Sequence, residues 1–383
     1  MLSYRHARMG HLETIITSAA TAQGFVIAGF ARLERLDHRE AFFSQWLAEG
    51  RAAEMTWLAR SPSRRLDPRL LDPRLQSIIC LAYPYAPPRP PGIDWRAELR
   101  GRVAAYAIGP DYHDTVLAKA RAICAELEHH APSATVRLYV DTGPVLEREW
   151  AMRARLGWFG RNTNLLNRYH GSYFFLAEIL TSLSLEPSAE PYREHCGTCR
   201  RCLDLCPTGA LTEGYRLEPR VCISYLTIEH RGAIPPELRP RLSNWIFGCD
   251  ICQEVCPWND DRTAATPVCE ALMPPLAELL ALDADGFSRR FRGSAIKRTK
   301  RRGLLRNAAI ALGNSGNPAA IPILSRTLDS EPEPLVRAHA AWALGRLGGP
   351  RARLILDRTR TREPDPAVQN EIEMALTDLH GLP

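Results

Sequence analysis

Eight of the chain's eleven cysteines fall between residues 196 and 256, and no other feature narrows its possible folds as much. Cys196, Cys199, Cys202 and Cys206 follow the spacing C-x2-C-x2-C-x3-C, with Pro207 next. Cys249, Cys252 and Cys256 follow C-x2-C-x3-C, with Pro257 next, and Cys222 lies between the two runs. Thiols this dense either pair as disulfides or bind metal. A chain of 383 residues with 45% apolar content can build its core without covalent staples. The first nine residues carry Arg5 and Arg8 but no apolar stretch and no small-residue cleavage site. Export to an oxidising compartment is therefore not expected, and metal ligation is the better reading. Cys80, Cys124 and Cys269 stand apart and are read as packed or surface thiols.

The first run is the one bacterial ferredoxins use. Three closely spaced thiolates wrap one face of a cubane, and the fourth, after the proline turn, serves a second cluster. The second run lacks its own first cysteine, and Cys222 is the free candidate for that gap. Cys196, Cys199, Cys202 and Cys256 are thus expected to hold one [4Fe–4S] cluster, and Cys206, Cys222, Cys249 and Cys252 the other. Two zinc sites built from C-x2-C pairs are the competing reading, although zinc ribbons do not use an x2-x2-x3 run closed by Cys-Pro. Two clusters carry single electrons to an acceptor elsewhere in the chain. Each adds about −2 with its thiolates, so a formal charge of +6 falls to about +2, and any basic partner surface must be local.

The rest of the chain divides around this segment. Residues 1–185 read as a mixed α/β domain. Ala41–Leu58 has the spacing of an amphipathic helix, Gln76–Ala82 and Val136–Val140 read as strands, and Ala86–Pro91 is a proline-rich loop. A helix is expected to carry Pro144 in its first turn and run to Arg155, and Leu176–Leu183 also reads as helical. Residues 186–265 hold the clusters, which replace an apolar core. Residues 266–383 contain a repeat: LLRNAAIALG from Leu304, VRAHAAWALG from Val336 and VQNEIEMALTDL from Val368, with an offset of 32 between Gly313 and Gly345 and between Val336 and Val368. This predicts a short α-solenoid of HEAT type, with an ordinary helical subdomain as the alternative. No uncharged apolar run reaches the roughly 18 residues of a membrane-spanning helix, so no membrane partner is expected.

From Gly286 to Leu328 there is no Asp or Glu, while Lys297, Arg298, Lys300, Arg301, Arg302 and Arg306 cluster at the start of the first repeat. A solvated charged face is one reading and a phosphate-binding patch the other; without interleaved aromatics it would position a nucleic-acid backbone and read no bases. Asp141 follows a strand and precedes a helix, so it is either an N-cap or an acid at a strand end, where α/β active sites gather. Gly157–Asn162 forms a tight glycine-flanked turn, and His113 is equally a surface residue or a ligand.

Taken in order, these segments resemble the epoxyqueuosine reductases, cobalamin-dependent iron–sulfur enzymes that complete queuosine in tRNA. The resemblance rests on Asp111-Tyr112-His113, on Asp141-Thr142-Gly143-Pro144-Val145-Leu146-Glu147 and on Leu156 through Thr163. It rests also on both cysteine runs, Cys222 through Thr227, and Lys297 through Gly303, so that nearly the whole chain is covered. Ala is common in the family where Gly143 stands and Lys where Arg161 stands; both are read as tolerated variation, although Arg is not a neutral replacement at a bidentate contact.

The resemblance implies an α+β multidomain protein: a nitroreductase-like α/β cobalamin domain, a bacterial-ferredoxin-like module with two [4Fe–4S] clusters, and a HEAT-like α-solenoid with a basic face for tRNA. It implies that Asp141 donates a proton to the epoxide of epoxyqueuosine, its pKa raised by burial against the corrin. It implies cobalamin contacts from Arg60, Tyr106, Asp141, Trp158, Arg161, Asn162, Leu165, Leu176 and Ile223. It further implies that Lys297–Arg306 hold the anticodon stem-loop by its phosphates, that an external donor supplies electrons, and that the protein is a cytoplasmic monomer. A cobalamin-dependent dehalogenase-like reductase and a non-catalytic electron-transfer protein are the alternatives.

Overall fold

The computed structural model describes residues 10–188, 193–212, 215–262 and 266–380. Arg5 and Arg8 lie outside them. The first region is built on a four-stranded sheet, Ile27–Arg32, Ser77–Pro84, Phe174–Thr181 and Val136–Tyr139 in spatial order, with every neighbouring pair antiparallel. Helices His11–Ala22 and Tyr112–His130 cover one face, and Asp37–Ala48 with Glu147–Arg153 covers the other. The two central strands are therefore buried on both sides.

That burial explains one departure from expectation. The stretch Leu176–Leu183, expected to be helical, belongs to the strand Phe174–Thr181. A strand covered on both faces shows a continuous apolar run, which periodicity cannot tell from a buried helix. The helix expected over Ala41–Leu58 is Asp37–Ala48, and it stops before Gly50, whose φ of +68° no helix can include. The helix expected to carry Pro144 starts only at Glu147, so Pro144 and Asp141 both lie in the preceding loop. Asp141 is not an N-cap: Leu146 holds that position.

After Pro84 the chain leaves the sheet. Arg102–Val103 pairs in parallel with Trp245–Phe247, just before the second cysteine run, and Val103 and Ala107 enter the same apolar core as Leu276, Leu305 and Leu344. A piece of the first region is thus built into the other two.

The C-terminal region is the expected solenoid. The repeated segments lie in helices Lys300–Ser315, Pro334–Leu347 and Pro366–His380, with Ile321–Ser330 and Gly349–Arg360 between them. The repeated glycines explain the spacing. A methyl at Gly313 would come within 2.9 Å of Ala343, and one at Gly345 within 2.6 Å of Ala375. Only glycine lets successive helices approach so closely. The offset extends to charge: Glu331 takes a bidentate bond from Arg301, and Glu363, 32 residues on, takes one from Arg337. Arg239, 1% exposed, grips Glu371 with two bonds of 2.7 Å and locks the cysteine-bearing module to the last helix. Among the described residues no helix is long and apolar enough to cross a membrane.

Candidate active site

The eight clustered cysteines lie on short turns and on the helices Arg201–Asp204, which carries Cys202, and Ile251–Glu254, which carries Cys252, with Cys222 just before Ile223–Ile228; none is paired in a disulfide. Cys196, Cys199, Cys202 and Cys256 line one cavity of about 230 Å³, closed by Trp258, Pro257, His195 and Leu166. Four thiols around a space of that size suit a cubane. A single zinc ion would draw its ligands to about 2.3 Å of one point, and among the described residues no three His, Cys, Asp or Glu side chains converge that way. Cys206, Cys222, Cys249 and Cys252 form the second neighbourhood: Cys252 feels the charge of Cys222 and Cys206, and Cys249 that of Cys252 and Cys222. Cys252 also feels Cys202, so the two neighbourhoods adjoin. Each draws a cysteine across from the other run, an exchange that follows from the turn after each Cys-Pro.

Asp141 lies at the end of the strand Val136–Tyr139, in a loop. Its φ is +58°, a conformation that non-glycine residues rarely adopt. Its carboxylate oxygen Oδ2 accepts from Tyr112 Oη at 3.0 Å and pairs with His113 Nε2 at 3.2 Å. His113 Nδ1 lies 2.7 Å from Asp111 Oδ1, so one imidazole bridges two carboxylates. Asp111 also caps the helix Tyr112–His130, which fixes both donors relative to the strand end. The surrounding protein disfavours charge on Asp141, but the bonds from His113 and Tyr112 outweigh it and hold its pKa below the ordinary aspartate value. Burial works against the His113 imidazolium, yet the two carboxylates raise its pKa. These directions favour an anionic Asp141 beside a His113 that holds its proton more readily than a free imidazole.

Tyr106 connects this acid to the thiols. Its ring meets Tyr112 at 5.9 Å and Phe247 at 6.1 Å, and it packs in one apolar cluster with Ile223, Met55, Cys222 and Cys249. Leu176 packs on the opposite face of the sheet from the helix that carries Tyr112, and Leu165 is buried in that same core. Arg60 is exposed. Trp158 and Arg161 turn their side chains to the first cavity instead. Trp158 packs with Cys256, Cys196 and Trp258, and Arg161 Nη2 bonds Gly197 O at 2.7 Å. Asn162 donates to Cys252 O at 3.1 Å, tying this turn to the second neighbourhood. A methyl at Gly143 would lie 2.5 Å from Tyr139 Cγ, so in this chain glycine is required and the Ala of the family is not a neutral alternative.

The basic segment divides. Arg306 is fully buried and gives its protons to the carbonyls of Leu226, His230 and Gly232. It cannot reach a phosphate, and the expectation that it does is corrected: its counterparts are backbone carbonyls. Arg301 is committed to Glu331 and Leu282 O. Lys297, Arg298, Lys300 and Arg302 are exposed. Arg298 is bidentate on Glu229 at 2.9 and 3.0 Å and also favours the charge on Asp141, which brings this edge of the solenoid toward the acid.

Comparison with known proteins decides the family. The family "Epoxyqueuosine reductase QueG, DUF1730" matches residues 65–142, a 4Fe-4S double cluster binding domain matches 195–259, and HEAT repeats match 293–377. The epoxyqueuosine reductase of Pseudomonas aeruginosa is 39% identical over 331 residues, covering 82% of this chain and 89% of the relative. The chain belongs to the epoxyqueuosine reductase family. That family is one of oxidoreductases, and its Xanthomonas campestris member is 38% identical over 85% of this chain and 93% of its own. The crystal structure of an epoxyqueuosine reductase with an epoxyqueuosine-modified tRNA-Tyr stem loop superposes with a TM-score of 0.88 at 30% identity, over 97% of this chain and 99% of that one. The Bacillus subtilis enzyme, solved with its catalytic aspartate loop swung out of the active site, matches with a TM-score of 0.87 at 29% identity, over 96% and 99%. His113 and Tyr112 are the site residues that sequence reasoning left open or missed, while Arg298, expected at the tRNA, is held by Glu229. The local pair Asp111-x-His113 was the available signal.

Proposed function

We propose that the chain reduces the epoxide of epoxyqueuosine in tRNA to the alkene of queuosine, consuming two electrons and two protons and releasing water. The observation that carries this reading is the Asp111–His113–Asp141 chain at the strand end, joined through Tyr112 and Tyr106 to the second thiol neighbourhood. Cys196, Cys199, Cys202 and Cys256 would hold one [4Fe–4S] cluster, and Cys206, Cys222, Cys249 and Cys252 the other. Tyr106, Ile223 and the Asp141 carboxylate, set between the acid and the second thiol neighbourhood, are the residues that would hold cobalamin. Bound there, cobalamin would supply a redox-active cobalt for the reduction.

The chain's own residues handle protons and position. Opening an epoxide leaves charge on oxygen, a poor leaving group until protonated, and a carboxyl within hydrogen-bond reach meets that need. Both donors to Asp141 meet Oδ2, so Oδ1 is the oxygen available to substrate. As charge develops on the epoxide oxygen, Asp141 takes the proton held by His113 and delivers it. Asp111 stabilises the imidazolium before transfer and orients the ring. Lys297, Lys300 and Arg302 would hold phosphates of the anticodon stem while the modified nucleotide turns out toward Asp141.

The test is nucleoside mass spectrometry on epoxyqueuosine-containing tRNA after anaerobic incubation with reconstituted, reduced protein and cobalamin. A product lighter by one oxygen is expected. No conversion with iron and cobalt both loaded would retire this function.

A further inference from the structure

Beneath the Asp141 loop lies an acidic pair that the reaction above does not use. Glu178 stands mid-strand in Phe174–Thr181, opposite Cys80 of the neighbouring strand, and is wholly buried. Glu147 opens the helix that packs on that strand. The two carboxyl groups are within hydrogen-bonding reach of one another. Glu147 Oε1 and both oxygens of Glu178 are sealed from solvent, and among the described residues no N–H or O–H reaches them. Two ionised carboxylates in that position would repel in a low dielectric and would have no donor to share. One proton between them satisfies both.

The same Glu147 carboxyl lies within reach of the backbone N–H of Asp141. That N–H belongs to the residue with φ of +58°, which the loop must hold against its preference. The loop's other ties are Thr142 N–H to Val140 O at 2.6 Å and a long bond of 3.4 Å from Arg65 Nη1 to Gly143 O. Glu147 is therefore a link from the sheet to the backbone of the acid, beside the side-chain bonds from Tyr112 and His113.

We propose that Glu147 and Glu178 share one proton and together position Asp141: Glu178 donates to Glu147, and Glu147 holds the Asp141 N–H, aiming the carboxylate at Tyr112 and His113. Burial pushes both carboxyls up, Glu178 well above the glutamate range and Glu147 to about 7, which favours one proton held between them. Arg65 and Arg148 add positive charge beside Glu147, which favours placing the anion there. The inference rests on the reading of Asp141 as proton donor.

The experiment compares Glu178→Gln, Glu178→Ala, Glu147→Gln and Glu147→Ala in the protein loaded with iron and cobalamin. It reads kcat and KM on an epoxyqueuosine-bearing stem-loop and the carboxylic-acid C=O band in infrared difference spectra. Wild type should show a protonated-carboxyl band persisting to about pH 8, far above an ordinary glutamate, and E178Q should lack it. E178A and E147A should lose about 10–100-fold in kcat, as expected for a displaced acid, with KM within about twofold. E178Q keeps a donor for Glu147 and E147Q keeps an acceptor for Asp141, so each should recover most of that loss. A missing band, wild-type kcat in E178A, or E178Q as impaired as E178A would each overturn the proposal. If the alanine variants do not fold, the two glutamine variants and the band decide it. A wild-type protein with the band but without reductase activity would instead refute the assigned function.

Discussion

Replacing Arg306 by alanine separates a structural arginine from a nucleic-acid contact. Its guanidinium makes bonds of 2.6 Å to Leu226 O, 2.9 Å to His230 O and 2.7 Å to Gly232 O, and it also holds Asn307 Oδ1. Asn307 in turn donates to Thr227 O and Ile246 O, so the pair fastens the cysteine-bearing module to the first solenoid helix. Alanine leaves three carbonyls without their donor. Bonds to a charged group contribute about 1.5–3 kcal/mol each, and water entering the gap recovers part of that, so a loss of about 3–5 kcal/mol is expected. The assay has two arms. Thermal unfolding with iron content reports stability. Stem-loop binding by anisotropy, between about 50 and 200 mM salt, reports phosphate contacts. R306A should melt earlier, yet its folded fraction should bind with the wild-type salt slope. Lys300→Ala should do the opposite, with unchanged stability and a slope reduced by about 1. An R306A protein of wild-type stability with a shallower slope would refute the reasoning.

Asp141→Asn should lower single-turnover reduction by about 10²–10⁴-fold while iron content and stem-loop affinity stay unchanged. In the wild type, activity should fall as pH rises through the raised pKa of His113, because the resting proton is lost there; acidification should not impair this step. His113→Gln should move that alkaline limb to lower pH, since Asp141 alone would then have to keep the proton, and a profile parallel to wild type would count against the relay. The mutual His113–Asp141 contribution to stability should be lost above the His113 pKa and, with Asp141 depressed, again at low pH once that carboxylate protonates. Cys256→Ala should reduce iron from about eight to about four atoms per chain, measured by colorimetric assay on the anaerobically reconstituted protein. Gly345→Val should destabilise the solenoid by at least about 1–3 kcal/mol, because its Cβ would overlap Ala375, and thermal unfolding would register it.

Much of this was legible because spacing along the chain is itself a geometric constraint. A C-x2-C-x2-C-x3-C-P run has few uses, and the 32-residue offset of Gly313 and Gly345 states directly where helices must touch. The strands Ser77–Pro84 and Val136–Tyr139 announced themselves by short apolar runs with clear ends. Phe174–Thr181 did not, because burial on both faces erases the alternation that marks a strand.

Charge was the least legible property. Lys297 to Arg306 carries six basic residues and no acid in sequence, but helix geometry sends Arg306 inward to carbonyls and Arg301 to Glu331 while Lys297 and Lys300 stay in solvent. Asp141 could be singled out from its motif, yet its protonation depends on His113, 28 residues away, and its anchoring on Glu147 and Glu178, which meet only when a helix packs on the central strand. Local patterns along the chain sufficed for the metal-binding segment, the solenoid and the family, since these repeat or cluster within reach of one another. Only the tertiary fold decided which charges are paired, buried or free, because those depend on contacts between segments far apart in the chain.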